Sequence, residues 1–134
     1  MRVKDWPTRL IQLLQQRRTM PFEWGVNDCC LFAADAIEAV TGEDPAPEFR
    51  DRYSTELGSM RVLKREGYES IEAVLRAKLG EPNPRQAPAR GDIVLVDYMG
   101  TLTVGVYFNC AWVLSEDGLV QAPAKWIIRT WSIN

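Results

Sequence analysis

Apolar residues recur at helical spacing up to about residue 80, and after residue 90 they gather into short β-branched runs. Leu10, Ile11, Leu13 and Leu14 mark one face of a helix predicted over Pro7–Arg18. Pro7 suits its first turn, and Arg17-Arg18 sit at the end where cations favour the helix dipole. Thr19-Met20-Pro21 breaks it. After the aromatic loop Phe22-Glu23-Trp24-Gly25-Val26, Asn27 or Asp28 can cap a second helix. That helix carries Cys29, Cys30, Leu31, Phe32, Ala33, Ala34, Ala36, Ile37 and Val40, and Gly42 stops it. Only Asp35 and Glu38 charge its circumference, which predicts the buried central helix of the fold.

Phe49-Arg50-Asp51-Arg52-Tyr53 reads as a short helical turn. Ser54 or Thr55 caps a helix ending near Glu66, although Gly58 weakens it. Ser70 caps another over Ile71–Leu79, closed by Gly80. Three prolines make Glu81–Ala89 an irregular linker. From Ile93-Val94-Leu95-Val96 onward the pattern is that of strands, with further runs at Leu102–Phe108, Ala111–Leu114, Leu119–Gln121 and Trp126–Trp131. Short turns between closely spaced strands predict an antiparallel sheet, or a small half-barrel, packed on the helices. The expected fold is α+β, a single domain over residues 1–134, mainly helical over 1–80 and mainly β over 90–134.

Composition narrows the function. A net charge of −2 argues against a basic nucleic-acid binder, and Arg17-Arg18 and Arg61-x-x-Lys64-Arg65 read as solvated helix faces. No apolar run is long enough to insert in a membrane, and the start has no apolar segment of a secretory signal. There is no histidine, so no imidazole of this chain can act as a base, and most zinc sites are excluded. Nothing implies a cofactor or a metal. The three cysteines, Cys29, Cys30 and Cys110, read as reduced thiols, because adjacent cysteines rarely meet disulfide geometry. Of the five tryptophans, Trp126 and Trp131 in the last apolar run are candidates for an interface.

Cys29 falls in the first turn of the buried helix, where the dipole and unpaired N–H groups favour a thiolate. With only the dipole acting, its thiol is expected to be ordinary, and Cys30 is expected to face the core. Asp28 reads as a helix cap, Asp92 as a turn or cap residue, and Asp97 as a solvated strand end.

Three segments in order, Phe22-x-Trp24-Gly25-x-x-Asp28-Cys29, Ala89-Arg90-Gly91-Asp92-Ile93-Val94 and Thr103-Val104-Gly105-Val106-Tyr107, together resemble the NlpC/P60 family of papain-like cysteine peptidases. The compact size and the Trp-containing end are similar to a divergent branch of small phage tail-assembly or tail-tip proteins. The resemblance implies that Cys29 takes the nucleophile's place, that Trp24, Asp28 and Cys30 border the cleft, and that Thr103 stands where the family has its histidine. A threonine hydroxyl cannot take up a proton at neutral pH, and losing a positioned base costs roughly 10²–10⁴ in rate.

Two functions from different classes follow as expectations. The first is a structural protein of a phage tail tip or baseplate, made in the host cytoplasm and partnered by other tail proteins, with a degenerate fold that hydrolyses nothing. The second is a cysteine peptidase or amidase cutting peptidoglycan peptides during infection. A cell-wall peptide-binding module is a third: a solvent-open cleft lined by Trp24, Cys29 and Thr103 would favour it, and Met20 or Tyr107 filling that cleft would count against it.

Overall fold

The computed structural model describes residues 1–85 and 87–134, so Gln86 of the linker lies outside the described residues. Four α-helices precede a five-stranded antiparallel sheet among the described residues, and the fold is α+β. The helices are α1 (Trp6–Arg17), α2 (Cys29–Thr41), α3 (Glu56–Arg65) and α4 (Ile71–Leu79). The strands are β1 (Ile93–Tyr98), β2 (Thr101–Tyr107), β3 (Ala111–Ser115), β4 (Gly118–Ala122) and β5 (Ile127–Trp131). They lie in the order β4-β3-β2-β1-β5.

The central helix is α2. The Asp28 Oδ1 oxygen accepts the Leu31 N–H at 3.0 Å and starts it, and Gly42, at φ 85°, ends it by donating its N–H to the Glu38 carbonyl at 2.7 Å. Leu31 to Val40 is buried except at Asp35 and Glu38. Leu10 of α1, Phe32, Ala36 and Val40 of α2, and Ile93, Leu95, Val104 and Val106 of the sheet are buried together in one core. Burying a side chain the size of Phe32 contributes about 1.5–3 kcal/mol.

The sheet buries its second face as well. Val94, Val96, Ala111, Val113, Ala122 and Ile127 form a cluster edged by Tyr98, Tyr107, Val120 and Trp126, all from the sheet or the turn before β5. Chain length explains it. β4 and β5 are the two edges of the sheet, yet only residues 123–126 join them. Five Cα steps reach at most about 18 Å, and a 3-10 turn at Ala124–Trp126 uses up part of that reach. Four strand spacings of a flat sheet need about 19 Å. The sheet therefore curls around its own filling, as the half-barrel alternative requires. The linker runs along the outer edge of β5, where the Asn83 N–H donates to the Thr130 carbonyl at 2.8 Å.

Several expectations change. Arg17 is not a solvated cation: its side chain is 12% exposed, pairs with Asp35 and donates from Nη1 to the Asn27 amide oxygen at 2.8 Å. The end of α1 is covered by α2 and the loop before it, so its cation lies inward. Arg50 joins the same group, bonding Asp35 at 2.7 Å and Asp44 at 2.8 Å. Arg18, Arg61, Lys64 and Arg65 are exposed, as read. Trp131 is not an interface residue: it is buried in the main core, and its indole N–H donates to the Gly80 carbonyl at 2.8 Å. Trp126 is half-buried in the 3-10 turn, edge-on to Tyr98. The helical turn expected over residues 49–53 lies earlier, at Pro47–Phe49. Asp92 does take the turn role, accepting the Ala89 N–H at 2.9 Å, but it is also buried beside Arg2, and burial pushes its carboxyl above the usual range. Asp97 is exposed and accepts the Gly100 N–H at 2.9 Å.

Candidate functional site

The loop before α2 is pinned on three sides. Glu23 and Asn27 bridge each other, the Phe22 N–H donates to the Glu116 carbonyl at 3.0 Å, and the Asn27 amide donates to the Pro21 carbonyl at 2.8 Å. Phe22 and Trp24 meet edge to face at 4.7 Å. Gly25, at φ 82°, lets the backbone pass against the Tyr53 carbonyl, where a Cβ would sit 2.0 Å from the oxygen. The result is a fixed approach to the first turn of α2.

Asp28 is fully engaged there. Its Oδ1 caps the helix, while Oδ2 accepts the Gly25 N–H at 3.0 Å and the Tyr53 hydroxyl at 2.6 Å. Burial, then the Asp28 carboxylate, hold Tyr53 protonated well above the ordinary phenol range. A carboxylate with three donors on it is a structural anchor.

Cys29 and Cys30 are half-buried in the first turn of α2. Strand β3 pairs with β2 only over Gly105–Tyr107, so Thr103 and Val104 lie beyond the last pair, and the start of α2 fills the gap. Cys29 thus has the Cys30 thiol, the Val104 N–H and the Thr103 hydroxyl as neighbours, each of which favours its thiolate. The Cys30 thiol has the largest of these effects, and together they outweigh burial and the Asp28 charge, so the Cys29 thiol lies below its ordinary value. Cys30, as the donor of the pair and partly desolvated, is pushed well above. The expectation of an ordinary Cys29 thiol is corrected on this point, because the dipole is not acting alone. Cys30 does touch the main core, as expected, but it also borders the cleft.

That cleft has a volume of about 1380 Å³. Trp24, Asp28, Cys29, Cys30 and Thr103 all line it, so the residues singled out in the sequence come together, Trp126 and Trp131 apart. Neither Met20 nor Tyr107 is among its walls. Leu57 and Met60 of α3 line it as well. Tyr53, Arg17 and the donor role of Cys30 were missed, since each partner or bond depends on packing between distant segments. Among the described residues, no group of three His, Cys, Asp or Glu is placed to hold a metal ion.

A pH series of iodoacetamide labelling is expected to give Cys29 a midpoint below about 8.5, the value of a free thiol. Cys110, which burial pushes up, should titrate above it. Cys30→Ala and Thr103→Val should each raise the Cys29 midpoint, read peptide by peptide by mass spectrometry. A Cys29 midpoint at or above that of Cys110 would contradict that arrangement.

No curated protein and no solved structure matches the chain. The model of a domain of unknown function, DUF6950, matches residues 1–133, and the chain belongs to that family.

Proposed function

We propose that the chain is a degenerate NlpC/P60-like domain that performs no hydrolysis and serves as a structural component of a phage tail tip or baseplate, with other tail proteins as partners. The observation that carries the inactive reading is Thr103, beside Cys29 in the wall of the same cleft, in a chain without histidine. The tail context rests on the resemblance of the three segments. Amide cleavage needs a proton delivered to the leaving nitrogen. Asp28 is committed to three donors, and Tyr53 holds its proton too tightly to exchange it near neutral pH.

A second reading, a non-cleaving module for cell-wall peptide, is favoured by the open cleft with Trp24, Cys29 and Thr103 in its walls. The peptidase reading draws only on the lowered Cys29 thiol.

Incubating peptidoglycan fragments with the protein and with Cys29→Ala, then weighing the products, is expected to show no cleavage by either. Cleavage lost in Cys29→Ala would refute the inactive reading. Cys29→Ser is expected to leave folding and particle assembly intact. Normal assembly with loss of infectivity in that variant would count against a purely structural role.

A further inference from the structure

We propose that the cleft takes the acyl chain of a long-chain acyl thioester and that Cys29 accepts the acyl group, leaving the protein S-acylated. The inference does not depend on the tail-tip reading; it follows from the shape of the cleft and the chemistry left at Cys29.

The first argument is the leaving group. With no imidazole and with Asp28 and Tyr53 locked together, nothing protonates a departing amine or alkoxide. A thiolate departs without that help, because its conjugate acid is acidic enough to carry the charge into water. The acyl donor this site can use is therefore a thioester. The Cys29 Sγ attacks the carbonyl carbon and forms the new C–S bond, while the carbonyl electron pair moves onto oxygen. Cys29 and Cys30 open α2, where the first N–H groups of a helix have no partner within it and can receive that charge. Collapse expels the donor's thiolate with its electron pair, and it takes a proton from water, balancing the one Cys29 gave to solvent. Water is not activated afterwards, for want of the same base, and the acyl group stays.

The second argument is the lining. At about 1380 Å³ the cleft exceeds the roughly 300–1,000 Å³ that encloses a drug-sized ligand. Phe22, Trp24, Leu57, Met60 and Leu102 are among its apolar walls. Leu57 and Met60, each 58% exposed, and Leu102, 43% exposed, offer apolar surface to a ligand in the cleft. Glu56, Lys64 and Glu116, charged residues of the lining, are exposed to solvent. A hydrocarbon chain fits the apolar part of these walls.

The test compares dodecanoyl and acetyl thioesters of N-acetylcysteamine, which share a leaving thiol and differ only in the chain. Intact-mass spectrometry of the full chain is expected to show one added acyl group, mapped to Cys29 and released by hydroxylamine. The dodecanoyl thioester should react roughly tenfold faster or more, reflecting the buried methylenes. Leu57→Glu and Met60→Glu, at exposed positions that leave the fold intact, should pull the ratio of the two rates toward one. No adduct from either thioester, acylation confined to Cys30 or Cys110, or equal rates for the two chains would each overturn the proposal.

Discussion

Gly25→Ala is expected to destabilise the protein by about 3 kcal/mol or more, a large share of a typical 5–15 kcal/mol. Two costs add. The residue sits at φ 82°, which an alanine adopts only with strain, and its new methyl would meet the Tyr53 carbonyl oxygen at 2.0 Å. That oxygen belongs to backbone, so no rotamer change relieves the clash; the loop or the Tyr53 segment must move. Either movement pulls at Asp28, whose carboxylate holds the Gly25 N–H, the Leu31 N–H and the Tyr53 hydroxyl at once. The start of α2 should therefore loosen along with the loop. Thermal unfolding followed by circular dichroism should show a midpoint lower by roughly 10 °C or more. In the surviving folded fraction, Cys29 labelling should lose its low midpoint, because the thiol leaves its neighbours on β2. A Gly25→Ala protein with wild-type stability would mean that the Tyr53 segment gives way freely, and the rigid approach to α2 would have to be abandoned.

Local chemistry was legible in the sequence, and contacts between distant segments were not. The cap at Asp28 follows from a bond to the residue three positions on, so it can be read from neighbours alone. The same is true of Thr55 and Ser70, which cap α3 and α4. Tyr53, by contrast, meets Asp28 across 25 positions, and Arg17 meets Asp35 across 18. No local pattern carries either pairing. Trp131 was misread for a related reason: alternation along a strand says that faces differ, not which face the fold covers. Here the curl of the sheet covers both. Leu57 and Met60 were given no place from the sequence, and they are largely exposed in the lining of the cleft while Val62 of that helix is buried. The Cys29–Thr103 contact joins helix to sheet and came only through the resemblance. Its consequence for the thiol needed Cys30 and the unpaired edge of β2, which no motif describes.

Thr103→His should restore the missing half of the site, and it separates positioning from chemistry. An imidazolium beside the Cys29 thiolate lowers the thiol's pKa by a further one to three units. Nucleophilicity falls as pKa falls, so each unit is worth only about threefold in alkylation rate below the midpoint. Labelling of Cys29 by iodoacetamide at pH 6 should rise roughly 3- to 30-fold over wild type. The sign with pH is fixed by the pair. The gain is present while the imidazole is protonated and the wild-type thiol is not ionised, and it fades as pH rises through the histidine's pKa and the wild-type Cys29 midpoint. The larger effect concerns the acyl adduct. Wild-type protein lacks a base to activate water, whereas the neutral imidazole of Thr103→His can do so and should speed loss of the acyl group by about 10²–10⁴. An intact-mass time course after dodecanoyl transfer, with excess thioester removed, should show a persistent adduct in wild type and a short-lived one in the variant. If labelling at pH 6 rises but the adduct persists, the histidine pairs with the thiolate without reaching the acyl carbonyl's water. If neither changes, position 103 does not face Cys29 as the geometry has it, and the explanation of inactivity by the loss of a base at Thr103 fails.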